Sequence, residues 1–85
     1  MESTSKRIET VGQRLRRLRE ARELSAGEVG RRIRMGGPHV LRVEKGEHQP
    51  GFFMVTDLAK LYGVSLDYIA GLTNDDSLPR APDNA

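Results

Sequence analysis

Residues 24–46, LSAGEVGRRIRMGGPHVLRVEKG, contain the local signals that decide the fold. Ser25 precedes Glu28 by three residues, so the Ser25 hydroxyl can accept a hydrogen bond from the Glu28 amide while the Glu28 carboxylate reaches back. Leu24 and Val29 flank this pair and can pack on each other as a hydrophobic staple. The sequence therefore predicts a helix that begins directly after Ser25.

This helix is expected to end near Arg34, because two glycines and a proline follow at residues 36–38. Proline is tolerated in the first turn of a helix, where its missing N–H would have no partner. A third helix is therefore predicted from about Gly37 to Lys45, with Gly46 at the position that favours a left-handed residue. Two short helices joined by a tight turn are typical of the helix-turn-helix arrangement.

Apolar residues at spacings of three and four predict two more helices, and a cap at Ser65 with a stop at Gly71 predicts a short last one. These cover residues 8–22, from Phe52 to Gly63, and from Ser65 to Gly71. The predicted fold class is all-α with five helices in one domain. We divide the chain into a flexible N-terminal arm at 1–7, the domain at 8–72 and a disordered polar tail at 73–85.

Composition narrows the range of functions. The chain has 85 residues and no cysteine, which leaves neither disulfides nor thiolate metal ligands. It has no apolar run long enough to span a bilayer and no signal-peptide pattern at its start, so we expect a cytoplasmic protein without a membrane partner.

The positive charge is concentrated in the first half of the chain. Residues 1–45 hold 12 Lys/Arg and 6 Asp/Glu, whereas residues 46–85 hold 2 and 6. A concentrated basic face suits a nucleic-acid backbone. The arginines of the first helix are also explained by an ordinary solvated helix face; they are Arg14, Arg16, Arg17 and Arg22.

Four segments together resemble the lambda-repressor-like or Xre family of DNA-binding domains. They are RLRRLREARELS, EVGRRI, VLRVEKGEHQP and LAKLYGVSLDYIAGLT, and the resemblance covers residues 8–72. The resemblance implies that helix three enters the major groove of double-stranded DNA, while the start of helix two and the loop after helix three contact phosphates. It also implies an ion pair between Arg19 and Glu44 that fixes helix one to helix three.

The resemblance implies two sets of DNA contacts. Those expected to face base edges are Gly37, Pro38, Leu41 and Arg42. Those expected to contact phosphates are Ser25, Arg34, His39, Lys45, His48 and Gly51. Arg42 is the best candidate for direct readout, because a guanidinium can pair with both acceptors of guanine.

Several positions depart from the family pattern. Ala26 stands where a phosphate-binding glutamine is usual, and Gly30 where alanine is usual. Arg34 replaces a turn glycine, so either it adopts a left-handed conformation or the turn differs. Gly37 and Pro38 replace polar side chains that read bases. This predicts modest direct readout with more dependence on DNA shape, or else a site reached by bringing two half-sites together.

A homodimer is expected, because one such domain covers about one half-site of a palindromic operator. The predicted interface is C-terminal and consists of Tyr68, Ile69 and Leu72. Phe53 is a further candidate, although a singly exposed apolar residue needs no special explanation.

The sequence bears on three other classes of function. An enzyme is not expected, since the only histidines are His39 and His48 and no phosphate-binding glycine loop is present. For the same histidines, ordinary surface residues are favoured over metal ligands, and no cofactor is expected. An antitoxin that binds a toxin and represses its own operon remains open, as does an adaptor that has lost DNA binding.

Overall fold

The computed structural model describes residues 9–75, and this part of the chain consists of five helices without a strand. They are α1 (Val11–Ala21), α2 (Ala26–Ile33), α3 (Gly37–Glu44), α4 (Phe52–Tyr62) and α5 (Leu66–Ala70). The predicted all-α fold with five helices is confirmed. The predicted N-terminal arm and residues 76–85 of the predicted tail lie outside the described residues.

Side-chain caps fix where the first two helices begin. Helix α1 begins three residues later than predicted, because Thr10 accepts from the Gln13 amide while the Gln13 side chain accepts from the Thr10 amide. The predicted capping box of Ser25 and Glu28 is present at the start of α2.

Residues in the left-handed conformation end α2, α4 and α5. Gly63 and Gly71 do so with φ of +71° and +84°, as the sequence predicts. Arg34 ends α2 with φ of +62° and ψ of +44°. The departure at this position is therefore accommodated by a left-handed arginine rather than by a different turn.

All five helices contribute to one hydrophobic core. Its buried members are Leu15, Leu18, Val29, Ile33, Val40, Val43, Met54, Leu58, Ala59, Tyr62, Val64, Tyr68 and Ile69. The longest helices have 11 residues, and none within residues 9–75 has the length and apolar character needed to cross a bilayer.

Two buried glycines allow α3 to lie close to its neighbours. A Cβ atom at Gly12 in α1 would lie 2.3 Å from the carbonyl oxygen of Glu44. A Cβ atom at Gly30 in α2 would lie 2.4 Å from the carbonyl oxygen of Met35 in the turn and 3.0 Å from the amide nitrogen of Gly37 at the start of α3. These backbone contacts set how closely α1 and α2 approach α3.

Candidate nucleic-acid interface

Four exposed residues follow one face of α3 at spacings i, i+3, i+4 and i+7. They are Pro38, Leu41, Arg42 and Lys45. The opposite face carries Val40 and Val43 into the core. Arg42 and Lys45 form no ion pair with the described residues 9–75. This face, called the α3 stripe below, therefore presents two uncompensated cations beside an apolar side chain.

Gly37 does not belong to the α3 stripe. It is half-buried, and a Cβ atom there would lie 3.1 Å from the Cα of Gly27 in the first turn of α2. Gly37 therefore lets α2 and α3 approach closely, and its place among the base-facing residues stays a prediction. Pro38, Leu41 and Arg42 remain exposed candidates.

The arginines of α1 are held by partners within the fold. Arg14 and Arg17 both bond to Glu9, with Nε–O distances of 3.0 and 2.8 Å. Arg14 also lies over the ring of Tyr68, 4.3 Å from its centroid, and Arg17 donates to the Tyr68 hydroxyl at 2.7 Å. A solvated helix face does not describe these side chains, because they connect α1 to α5.

The two outer arginines of α1 are also engaged. Arg16 pairs with Glu20 at 2.9 Å on the exposed surface, while Arg22 donates to the carbonyl oxygens of Leu18 and Tyr62. The arginines of α1 are therefore engaged within the fold, whereas Arg31 and Arg32 of α2 and Arg42 and Lys45 of the α3 stripe have no carboxylate partner within residues 9–75.

The pKa values of Glu9 and Tyr62 are shifted by their surroundings in the fold. The hydrogen bond from Arg17, more than that from Arg14, lowers the pKa of Glu9 to about 2. Burial raises the pKa of Tyr62 to about 12, since the phenolate would be poorly solvated in the core.

The ion pair of Arg19 and Glu44 is present and connects α1 to α3. Arg19 donates through Nε at 2.8 Å and Nη2 at 3.0 Å to the two carboxylate oxygens of Glu44, and through Nη1 to the carbonyl of Leu24 at 2.9 Å. Only 3% of the Glu44 side chain is exposed. This bidentate contact holds the end of α3 against α1 and so fixes the orientation of the α3 stripe.

Flanking elements place further donors around α3. The Ser25 Oγ accepts from the Glu28 amide at 3.0 Å, and its own hydroxyl hydrogen remains able to bond a phosphate. Gly51, the N-cap of α4, supplies no side-chain cap, so the first amides of α4 are free to bind an anion. Arg34 is exposed at the end of α2.

Residues 10–72 match the family described as "Helix-turn-helix domain". This match covers most of the chain. The chain belongs to the helix-turn-helix domain family. The resemblance to lambda-repressor-like and Xre domains is thereby confirmed.

The domain is also similar to a Bacillus subtilis (strain 168) protein named "Uncharacterized HTH-type transcriptional regulator YobD". The two are 38% identical over 63 residues, which cover 74% of this chain and 56% of the relative. The chain thus spans little more than half the length of that relative. No solved structure matches the present chain.

A groove of about 520 Å³ beside the α3 stripe in this helix-turn-helix domain was missed by the sequence analysis. It lies between the start of α1 and the loop that follows α3. Its polar lining residues include Thr10, Gln13, Arg16, Lys45, His48 and Gln49. The Thr-x-x-Gln spacing at residues 10–13 was a readable signal for the cap, whereas the groove itself depends on how α1 packs on α3.

His39 and His48 lie together, with ring centroids 5.6 Å apart. His39 is half-buried in the first turn of α3, and His48 is exposed in the following loop. Residues 9–75 contain no group of three or more side chains arranged to hold a metal ion. This ring contact holds the loop against α3. The phosphate contacts expected of both histidines stay a prediction.

The predicted dimer interface needs revision. Tyr68 and Ile69 belong to the hydrophobic core, with 4% and 1% of their surfaces exposed. Their side chains pack within the domain, which leaves little of either for a second chain. Leu72 is 78% exposed and stays available.

Proposed function

We propose that this helix-turn-helix domain acts as a transcriptional repressor that binds a palindromic operator as a homodimer. The observation that carries the proposal is the α3 stripe, whose Arg42 and Lys45 have no carboxylate partner in the described chain. A helix of this size fits the major groove of B-form DNA. The family and the "transcriptional regulator" name of the similar protein support the same function.

The stripe offers two kinds of contact. Arg42, in the last turn of α3, can donate both guanidinium arms to guanine O6 and N7, and Leu41 can contact a thymine methyl group. Lys45 follows one turn after Leu41 and reaches a phosphate more readily than a base. Since Pro38 supplies no donor, we expect few hydrogen bonds to bases and a substantial contribution from DNA shape.

Phosphate contacts on either side would orient the helix in the groove. We assign them to the Ser25 hydroxyl, the first amides after Gly51, and the side chains of Arg34 and His48. The rigid bond between Arg19 and Glu44 would keep these groups in register with α3. Repression would follow from occupying DNA that the transcription machinery needs.

The test is selection of bound duplexes from a random library, followed by titration of the selected sequence at two salt concentrations. Arg42→Ala should cost about 1–3 kcal/mol on the selected sequence and relax the preference at one base pair. Lys45→Ala is the matched control: it should weaken binding to all sequences equally and reduce the salt slope by about one contact.

A palindromic consensus with these two distinct responses would support the proposal. Weak, sequence-independent binding that responds alike to both variants would contradict it. In that case purification with bound protein partners would test the antitoxin and adaptor alternatives.

A further inference from the structure

We propose that a second copy of this chain docks on the outer face of α4, with the two α4 helices antiparallel. This inference rests on the proposed homodimer and places its interface away from the C-terminal residues. The face carries Phe52 and Phe53, which are 69% and 79% exposed with their rings in edge contact at 5.7 Å. Such a pair of exposed aromatic rings is unusual on a monomer surface.

The same face contains a space that can receive an aromatic ring. A groove of about 610 Å³ lies between α4 and α5, and it is lined by Thr56, Ala59, Lys60, Gly63, Val64, Ser65, Leu66 and Asp67. A Cβ atom at Gly63 would meet nothing within 4 Å. The groove is therefore open at the end of α4 opposite to the phenylalanines.

Helical spacing puts the projecting and the receiving parts on one stripe. Phe52, Thr56 and Gly63 recur at i, i+4 and i+11. Ala59, at i+7, is only 7% exposed and lines the groove between them. A two-fold axis between Thr56 and Ala59 makes Phe52 of each copy face Gly63 of the other. The surface is thus complementary to itself, as a two-fold interface requires. The small residues at the axis permit close approach of the two helices.

The exposed aromatic area of this face agrees with a second copy of the chain as the occupant. The two phenylalanines expose roughly 300 Å² per copy, a substantial part of the about 800 Å² that each partner buries in a standard interface. Lys60 lies at the edge of the stripe, and it forms no ion pair within residues 9–75 of its own chain.

Sedimentation equilibrium without DNA tests the inference independently of operator binding. Phe52→Ser should weaken self-association roughly thirtyfold, as loss of a central aromatic contact does. Leu72→Ser is the control, since Leu72 is 78% exposed, against 69% for Phe52, but lies after α5; on an α4 interface it should leave the association constant unchanged. Thermal melting followed by circular dichroism checks that both variants fold.

Cross-linking gives a second test, because the chain has no cysteine of its own. Close antiparallel packing puts the two Thr56 Cα atoms about 6 Å apart, within disulfide range. Thr56→Cys should therefore form a covalent dimer under mild oxidation, and Leu72→Cys should not. The reverse result, or loss of self-association only in Leu72→Ser, would overturn the α4 interface in favour of the C-terminal one. A wild-type monomer that still selects a palindrome would overturn it too, without contradicting DNA binding.

Discussion

Replacing Glu44 by glutamine removes the charge that compensates Arg19 while keeping the shape of the side chain. Arg19 is 11% exposed and Glu44 3% exposed, so the remaining guanidinium cannot be rehydrated without moving α1 or α3. Breaking a buried pair on one side is destabilising by about 3–5 kcal/mol. Because Arg19 keeps its bond to the Leu24 carbonyl, we expect the lower end, roughly 3 kcal/mol. For a domain of this size the melting temperature should fall by roughly 12–24 °C.

Urea unfolding followed by circular dichroism measures this loss. The surface pair of Arg16 and Glu20, with side chains 61% and 54% exposed, is the matched control, and Arg16→Ala should remove only about 0.3–0.5 kcal/mol. The double variant Arg19→Met with Glu44→Leu should recover much of the lost stability, because no unpaired charge remains. If Glu44→Gln proves as mild as Arg16→Ala, the reasoning about this buried ion pair is wrong.

Three further outcomes are expected from other parts of the fold. Gly30→Ala should lower the unfolding free energy measured in urea, because the new methyl group meets the Met35 carbonyl. Gly27→Ala should raise it by up to about 1 kcal/mol, because a Cβ atom there makes only ordinary contacts at 3.9 Å. Equal effects of the two variants would contradict the close approach of α2 to α3. The carboxyl group of Glu9 has its pKa lowered from 4.5 to about 2, so it contributes stability that is present above pH 4.5 and lost as the pH falls toward 2. At neutral pH, Glu9→Gln should lower the unfolding free energy by about 1 kcal/mol after solvent screening. This difference from the wild type should vanish as the pH falls from 4.5 to 2. Tyr62, with its pKa raised from 10 to about 12, contributes stability that is present below pH 10 and lost as the pH rises through 12. Absorbance titration should therefore show Tyr62 ionising together with alkaline unfolding. Ionisation of Tyr62 near pH 10 in the folded protein would refute its burial.

Local signals are sufficient to predict α2 and the start of α3. The Ser25 capping box and the glycines before Pro38 act through neighbouring atoms, so their effect is readable from residues a few positions apart. The left-handed Arg34 was foreseen only as one of two possibilities, because the choice depends on how α3 packs against α2.

Long-range partners could not be read from the sequence in the same way. The Arg17 hydrogen bond to Tyr68 spans 51 positions, and nothing near Arg17 distinguishes it from a solvated arginine. Gly12 attracts no attention until α3 lies against it. Helix α5 has only five residues, too few for periodicity to show that Tyr68 and Ile69 face inward.

Arg14 has a consequence for how this domain can be re-engineered. Its guanidinium touches Glu9 at 3.0 Å just before α1, and the Thr73 carbonyl and Asn74 side chain at 3.3 and 3.4 Å just after α5. The two ends of the folded unit are thus adjacent, separated by the width of a single side chain. A short peptide can join them, and new termini can be opened in the exposed loop at residues 46–50, giving a circular permutant that keeps every helix in place. Domains fused at either end would leave the fold from the same point.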